Sequence, residues 1–258
     1  MKPFIAQEFY ETGNLLAQVR EVMATSEPTA KASGDVAKHI SVLLNGVARR
    51  CNAVELTIVS EYAIDLSQRI ARESMSHGEV DIAIGELDRL IAREMKKRLY
   101  FFMPLDKANF YDRSLLNAVG AAVFSTADAE LRLASTCYAT NLDTASVSHS
   151  MRAIETPIKA IAKRLRVKLA KDIDLATWGD IHREIDNKIK ALRLTRHTKR
   201  RDEEIAFYAE ANTEFGYFKD VWRNFVSHSR KNYDGPQALS VLNHVASFIN
   251  HLATRLHE

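Results

Sequence analysis

A guanidinium, an amide and an imidazole fall within six residues in the stretch Val221-Trp222-Arg223-Asn224-Phe225-Val226-Ser227-His228. These groups can hold a phosphodiester and move a proton. Arginine carries a permanent planar charge suited to a phosphate, or to the oxyanion that develops as phosphorus becomes five-coordinate. A histidine with an ordinary pKa of roughly 6.5 exchanges protons around neutrality. Asn224 can donate and accept hydrogen bonds beside both. RNA carries its own nucleophile, the 2′-hydroxyl, so cleavage to a cyclic phosphate needs no metal.

The Arg to His spacing is weak evidence by itself. With 21 Arg and 9 His among 258 residues, about two such pairs are expected from composition alone. Two occur, and the other, Arg72 to His77, reads as a helix end. What sets Arg223 apart is its context: an aromatic helix leads in, Asn224 follows directly, and a turn and a long helix lead out. Geometry adds a condition. On an ideal helix five residues turn through about 500°, leaving Arg223 and His228 about 140° apart, so the helix must end or loosen near Ser227 for the two to meet. The alternative is that Asn224 and His228 cap the helix while Arg223 pairs with an acid such as Asp220.

A second group, His149, Arg152 and Glu155, is spaced by threes along a helix, where an Arg152 to Glu155 ion pair is natural. It either lines a cleft or fixes helix packing. His244 and His251 share a helix face, but no carboxylate or cysteine stands at metal-ligand spacing, so a solvated face is expected and no metal. Nothing reads as a Gly-rich phosphate loop, a nucleophile elbow or a zinc motif, and no cofactor is expected.

The elements that must position these residues read as helices. Nine Gly and five Pro supply too few turns for a many-stranded fold. The N-terminal half predicts a helix over 8–23, a loop over 25–34, and one or two helices over 35–75 with Gly46 as a weak break. His77-Gly78 is expected to end that pattern, and another helix covers 80–99. Tyr100 to Pro104 is a strand or a packed connector, and 105–124 reads as a linker and docking segment. Beyond it, Ser125 with Asp128 suggests a capped helix over 126–139. Next come a helix over 144–167, kinked at Pro157, and one from Thr177 to Leu194. A basic loop spans 195–202, followed by an aromatic helix over 202–227 and a last helix after Gly235-Pro236. The expected organisation is therefore all-α: an N-terminal helical region, 1–120, and a bundle of about five helices, 121–258.

The formal charge of +3 conceals an asymmetry. Acids slightly outnumber bases up to residue 120, and bases outnumber acids beyond it. Lys159, Lys163, Arg164, Arg166, Lys168 and Lys171 run without an intervening acid, and so do the cations from Lys188 to Arg201. Such runs either neutralise phosphates or form solvated helix faces. Cys51 and Cys137 lack metal-ligand spacing and read as free thiols of a reducing compartment. Residues 1–11 carry Glu8 and Glu11 without the order of a signal peptide, and no apolar run reaches the roughly 18 residues of a membrane span, so a cytoplasmic chain with no membrane partner is expected.

The stretch from Val221 to His228, with Tyr233, Ala238 and Phe248-Ile249-Asn250-His251-Leu252-Ala253, resembles the C-terminal end of bacterial proteins of the HEPN superfamily. Upstream, His149 to Glu155 and Thr177-Trp178-Gly179 are similar to segments of an uncharacterised branch of it. The resemblance spans about residues 85–258. It implies a helical bundle that homodimerises. It further implies a metal-independent endoribonuclease of a toxin or antiphage system, acting on RNA and held in check by an antitoxin or regulatory protein. In that reading Arg223 stabilises the phosphate, Asn224 orients it and His228 handles the proton, at a cleft lined by His149, Arg152, Glu155 and Tyr233. Other members lack activity and act as nucleotide-binding or interaction modules, which is the alternative expectation.

Overall fold

The structure, a computed structural model, describes residues 6–72, 75–98, 101–195, 198–223 and 232–256. Among them the chain is helical and holds no strand, only an isolated bridge between Lys31 and Ser76. It divides into two compact units, Met1–Phe101 and Phe102–Glu258. This division lies earlier in the chain than the boundary expected near residue 120, because the docking segment belongs wholly to the second unit. Leu116 and Phe124 are buried in that unit's core.

The first unit holds α1 (Ala6–Ala24), α2 (Gly34–Ala53), α3 (Thr57–Ala71) and α4 (His77–Lys96). Ile40, Leu44, Val47, Leu66, Ile84 and Leu87 are fully buried between them, each side chain contributing about 1.5–3 kcal/mol by leaving water. Helices α2 and α3 pack closely through small polar residues. Ser41 Oγ donates to the Ser67 carbonyl at 3.0 Å, and Ser67 Oγ donates back to that of Ser41 at 3.2 Å. Salt bridges Arg20–Asp88 (2.5 Å) and Arg50–Glu11 (2.5 Å) link α1 to α4 and α2 to α1.

Two expectations for this unit are corrected. The break after α2 comes at Glu55, not at Gly46. Glu55 adopts a left-handed φ of 62°, and Leu56 N–H bonds to the Cys51 carbonyl, a helix-ending turn that glycine usually serves. Gly46 instead makes room for α1, since a Cβ there would stand 3.1 Å from Leu15 Cδ1. His77-Gly78 opens α4 rather than ending a helix. Ser76 and Glu79 form a reciprocal capping box, and Gly78 N–H donates to the Pro28 carbonyl. Finally, Phe101 and Phe102 are exposed and belong to no strand, while Met103 and Pro104, in the second unit, are half-buried.

The second unit holds α5 (Leu105–Ala108), α6 (Ala118–Val123), α7 (Ser125–Ala139), α8 (Asp143–Arg164), α9 (Trp178–Arg193), α10 (Lys199–Tyr217), a π-helical segment (Phe218–Arg223) and α11 (Gly235–Leu252). The five longest α-helices, α7 to α11, form the bundle. Helix α8 runs through its middle, continuing past the buried Pro157, with Val147, Met151, Ile154, Ile158 and Ile161 inward. The N-cap of α7 is Phe124, not a capping Ser125. Asp128 is turned instead to Ser114 and to Arg132, whose Nε lies 2.9 Å away. The basic loop is shorter than expected: Thr198 caps α10, so Lys199, Arg200 and Arg201 stand in its first turn. Pro236 lies in the first turn of α11, behind a capping box of Asp234 and Gln237. Gly120 lets α6 approach α11, for a Cβ there would fall 2.4 Å from Asn250 Oδ1, which accepts the Asn117 N–H.

Because each unit has its own core, a chain starting at Phe102 is expected to keep helical circular dichroism and a single cooperative urea transition. A non-cooperative, flat transition would contradict this.

Candidate functional site

The aromatic stripe of α10, with Phe207, Tyr208 and Phe215 buried, continues into Phe218 and Trp222. At Phe218 the backbone passes from α to π pairing, i→i+5 in place of i→i+4. The wider turn changes where the last side chains point. Trp222 stays inside, its ring centroid 5.1 Å from Tyr217, 5.3 Å from Phe218 and 5.6 Å from His244. Arg223 comes out half-buried, with its guanidinium 4.4 Å above the ring of Trp178. Such a contact is worth about 0.5–2 kcal/mol and fixes the plane of the guanidinium.

Trp178 is placed by its own capping turn. Thr177 Oγ1 accepts the Asp180 N–H at 3.1 Å and donates to Asp180 Oδ2 at 2.7 Å, holding the first residue of α9 against Phe215, 5.0 Å away. One turn along α9, His182 packs on Gly216 so closely that a Cβ there would stand 2.7 Å from its Nε2. Burial, helped by the positive charge of Lys219, pushes the pKa of His182 below the ordinary histidine value, against the opposing pull of Asp186 and Asp220. Asp220, the acid nearest Arg223 in sequence, pairs with Lys219 at 2.8 Å.

Tyr233 ties the far side of this region. Its hydroxyl donates to the Trp222 carbonyl at 3.4 Å, and its N–H donates to Thr144 Oγ1 at 3.0 Å. Trp222 and Tyr233 are thereby joined and anchored to the start of α8. Asn224 and His228 lie outside the described residues.

His149 and Arg152 meet on an acid that sequence spacing could not show. Glu130 of α7 accepts from His149 Nδ1 at 2.8 Å and from Arg152 Nη2 at 2.7 Å. The partner of Arg152 is thus Glu130 and not the expected Glu155, which is half-buried one turn further on. His149 stands five residues beyond Thr144, about 140° around α8, so this cluster and the Tyr233 anchor use different faces of the helix. His244 and His251 are exposed, on the solvated face expected of them. His244 Nδ1 donates to the Ser240 carbonyl at 2.7 Å, and His251 lies 5.0 Å from Phe207. Among the described residues no group of three or more His, Cys, Asp or Glu is arranged to hold a metal. Burial raises the Cys51 thiol to about 11, and Cys137 is also raised, so both rest as unreactive thiols.

Trp178, His182 and Glu130 are the residues that reading the sequence missed as site members. The Thr177-Trp178-Gly179 segment signalled the first, whereas the other two depend on contacts between distant helices. No protein-family model, curated protein or solved structure matches the chain. No helix among the described residues is long and apolar enough to cross a membrane.

Replacing Gly216 with alanine forces His182 off α10 and is expected to cost about 1–3 kcal/mol in urea denaturation, as overpacking does. An unchanged midpoint would show that the contact is slack.

Proposed function

We propose that this chain is a metal-independent endoribonuclease of the HEPN type, acting as a homodimer in which Arg223, Asn224 and His228 of two subunits face one RNA phosphodiester. The observation that carries the reading is the π-helical segment ending at Arg223. A composite Arg and His site needs the helix to loosen before His228, and pairing has already changed at Phe218. π turns cost stability and are kept mostly where side chains are re-aimed for function. The stacking of Arg223 on Trp178 supports the same assignment, because a planar cation held by its face leaves its N–H edge free for phosphate oxygens.

In this reading neutral His228 takes the proton from the 2′-hydroxyl as that oxygen attacks phosphorus. The bond from phosphorus to the 5′-oxygen breaks, and the leaving oxygen receives a proton from His228 of the partner subunit. Two Arg223 groups neutralise the charge that builds on the non-bridging oxygens. The products are a 2′,3′-cyclic phosphate and a 5′-hydroxyl, and rate against pH follows a bell shape. Such an activity belongs in the cytoplasm under the control of an antitoxin or regulatory protein, as expected of a stress or antiphage effector.

Purified wild type, Arg223→Ala and His228→Ala incubated with mixed RNA in EDTA test the proposal. Wild type is expected to produce cyclic phosphate ends, and each variant to be slower by about 10²–10⁴-fold. Equal survival of RNA in all three samples sinks it.

A further inference from the structure

The two basic runs that sequence left as phosphate binders or solvated faces converge in the second unit. The end of α8 supplies Arg164 and Arg166, α9 supplies Lys188, and the first turn of α10 supplies Arg201. Together they wall a hollow of about 190 Å³ whose one acid is Glu204. A neighbouring hollow of about 340 Å³ shares Arg166 and adds Lys163 and Lys171. The two share Arg166 as a wall and together make a basic, channel-like surface, with cations in both parts and Leu165, Leu192 and Ile205 lining the first.

Some cations elsewhere on the same helices have counter-charges. Lys159 pairs with Asp174 at 2.6 Å, Lys190 with Asp186 at 2.7 Å, and Arg183 with Asp180 at 2.6 Å. In the hollow only Arg164 is paired, with Glu204 at 3.0 Å. Among the described residues no ion pair engages Arg166, Lys188 or Arg201, although Lys188 and Arg201 are half-buried. Half-burying a cation without a counter-charge is unfavourable, and a bound anion removes the cost. Arg166 is also held rigidly. It sits at a left-handed φ of 53°, its N–H bonded to the Lys163 carbonyl and that of Val167 to Ala162, the double hydrogen bond that closes a helix.

We infer that this channel is a docking track for the phosphodiester backbone of single-stranded RNA. The assignment rests on the nuclease reading for the identity of the ligand, and on the channel alone for the place where it binds. The concave form suits a flexible polyphosphate chain, whose charges reach inward; a flat anionic membrane surface meets only protruding side chains. The cations read phosphate and not base edges, so binding is insensitive to sequence and strongly dependent on salt.

The test is binding of a fluorescent oligouridylate to the full chain carrying His228→Ala, titrated over a range of salt. Adding Arg166→Gly, Lys188→Glu and Arg201→Glu is expected to weaken binding at least about tenfold and to make the slope of log K against log salt shallower by about 2, since each lost phosphate contact contributes about 0.7. Arg166→Gly alone is expected to weaken binding without lowering the melting temperature, because glycine accepts the left-handed turn freely, which separates lost binding from lost fold. An unchanged affinity and slope in the triple variant overturns the track. So does tight, variant-sensitive binding to phosphatidylserine vesicles without binding of oligouridylate, which would make a membrane the ligand. Cleavage of RNA by the wild-type chain, with a slope unmoved by the three substitutions, leaves the nuclease standing and removes the track; binding through the track without cleavage does the reverse.

Discussion

The contact of His182 with Gly216 sets how near α9 and α10 can lie, and the rest of the candidate site follows from it. A Cβ at 216 would stand 2.7 Å from the imidazole Nε2, so any other residue there requires the ring or the helices to move. With the helices this close, Trp178 at the start of α9 reaches Phe215 and offers its outer face to Arg223. The same closeness half-buries His182, and that burial lowers its pKa below the ordinary histidine value. Small next to large at one crossing thus places a tryptophan, a histidine and an arginine together.

Passing from α to π pairing at Phe218 solves a second problem. An α-helix carried straight through Trp222 and Arg223 would advance each residue by about 100°, holding both near the aromatic stripe or carrying them past it. The wider π turn keeps Trp222 buried among Tyr217, Phe218 and His244 while Arg223 turns toward Trp178. The Tyr233 hydroxyl donates to the Trp222 carbonyl. Tyr233 is itself anchored by Thr144, so Trp222 is tied through it to α8.

Helix identity was legible in sequence because apolar residues recur at helical spacing from α1 to α11, and Thr177 with Asp180 located the start of α9. Ends were less legible where the residue doing the work was not the usual one. Glu55, Asn141 and Arg166 take left-handed positions that a reader assigns to glycine, in a chain with only nine glycines. Gly46 misled in the opposite sense, since it permits close approach rather than breaking a helix. In the site, Arg223 was legible from residue type and Tyr233 from resemblance. Glu130 was not, because it reaches His149 and Arg152 from another helix. The π segment was invisible to a periodicity that assumes one pitch.

Charge makes a related point about what spacing can show. Lys159 and Lys190 belong to the same basic runs as Arg166 and Arg201, yet each finds a carboxylate in the fold. A run of basic residues is therefore two populations, one neutralised by the protein and one left for something else, and only packing sorts them. The pairs involving Lys190 and Arg183 join neighbours on one helix turn, where an exposed ion pair is worth a few tenths of a kcal/mol. Lys188 and Arg201 are drawn half-inside by the apolar floor beneath them, Leu192 and Ile205, which sit one turn along from each. Hydrophobic packing, not charge pairing, therefore holds these cations in place. An anion that enters the hollow meets positive charge already positioned and partly stripped of water.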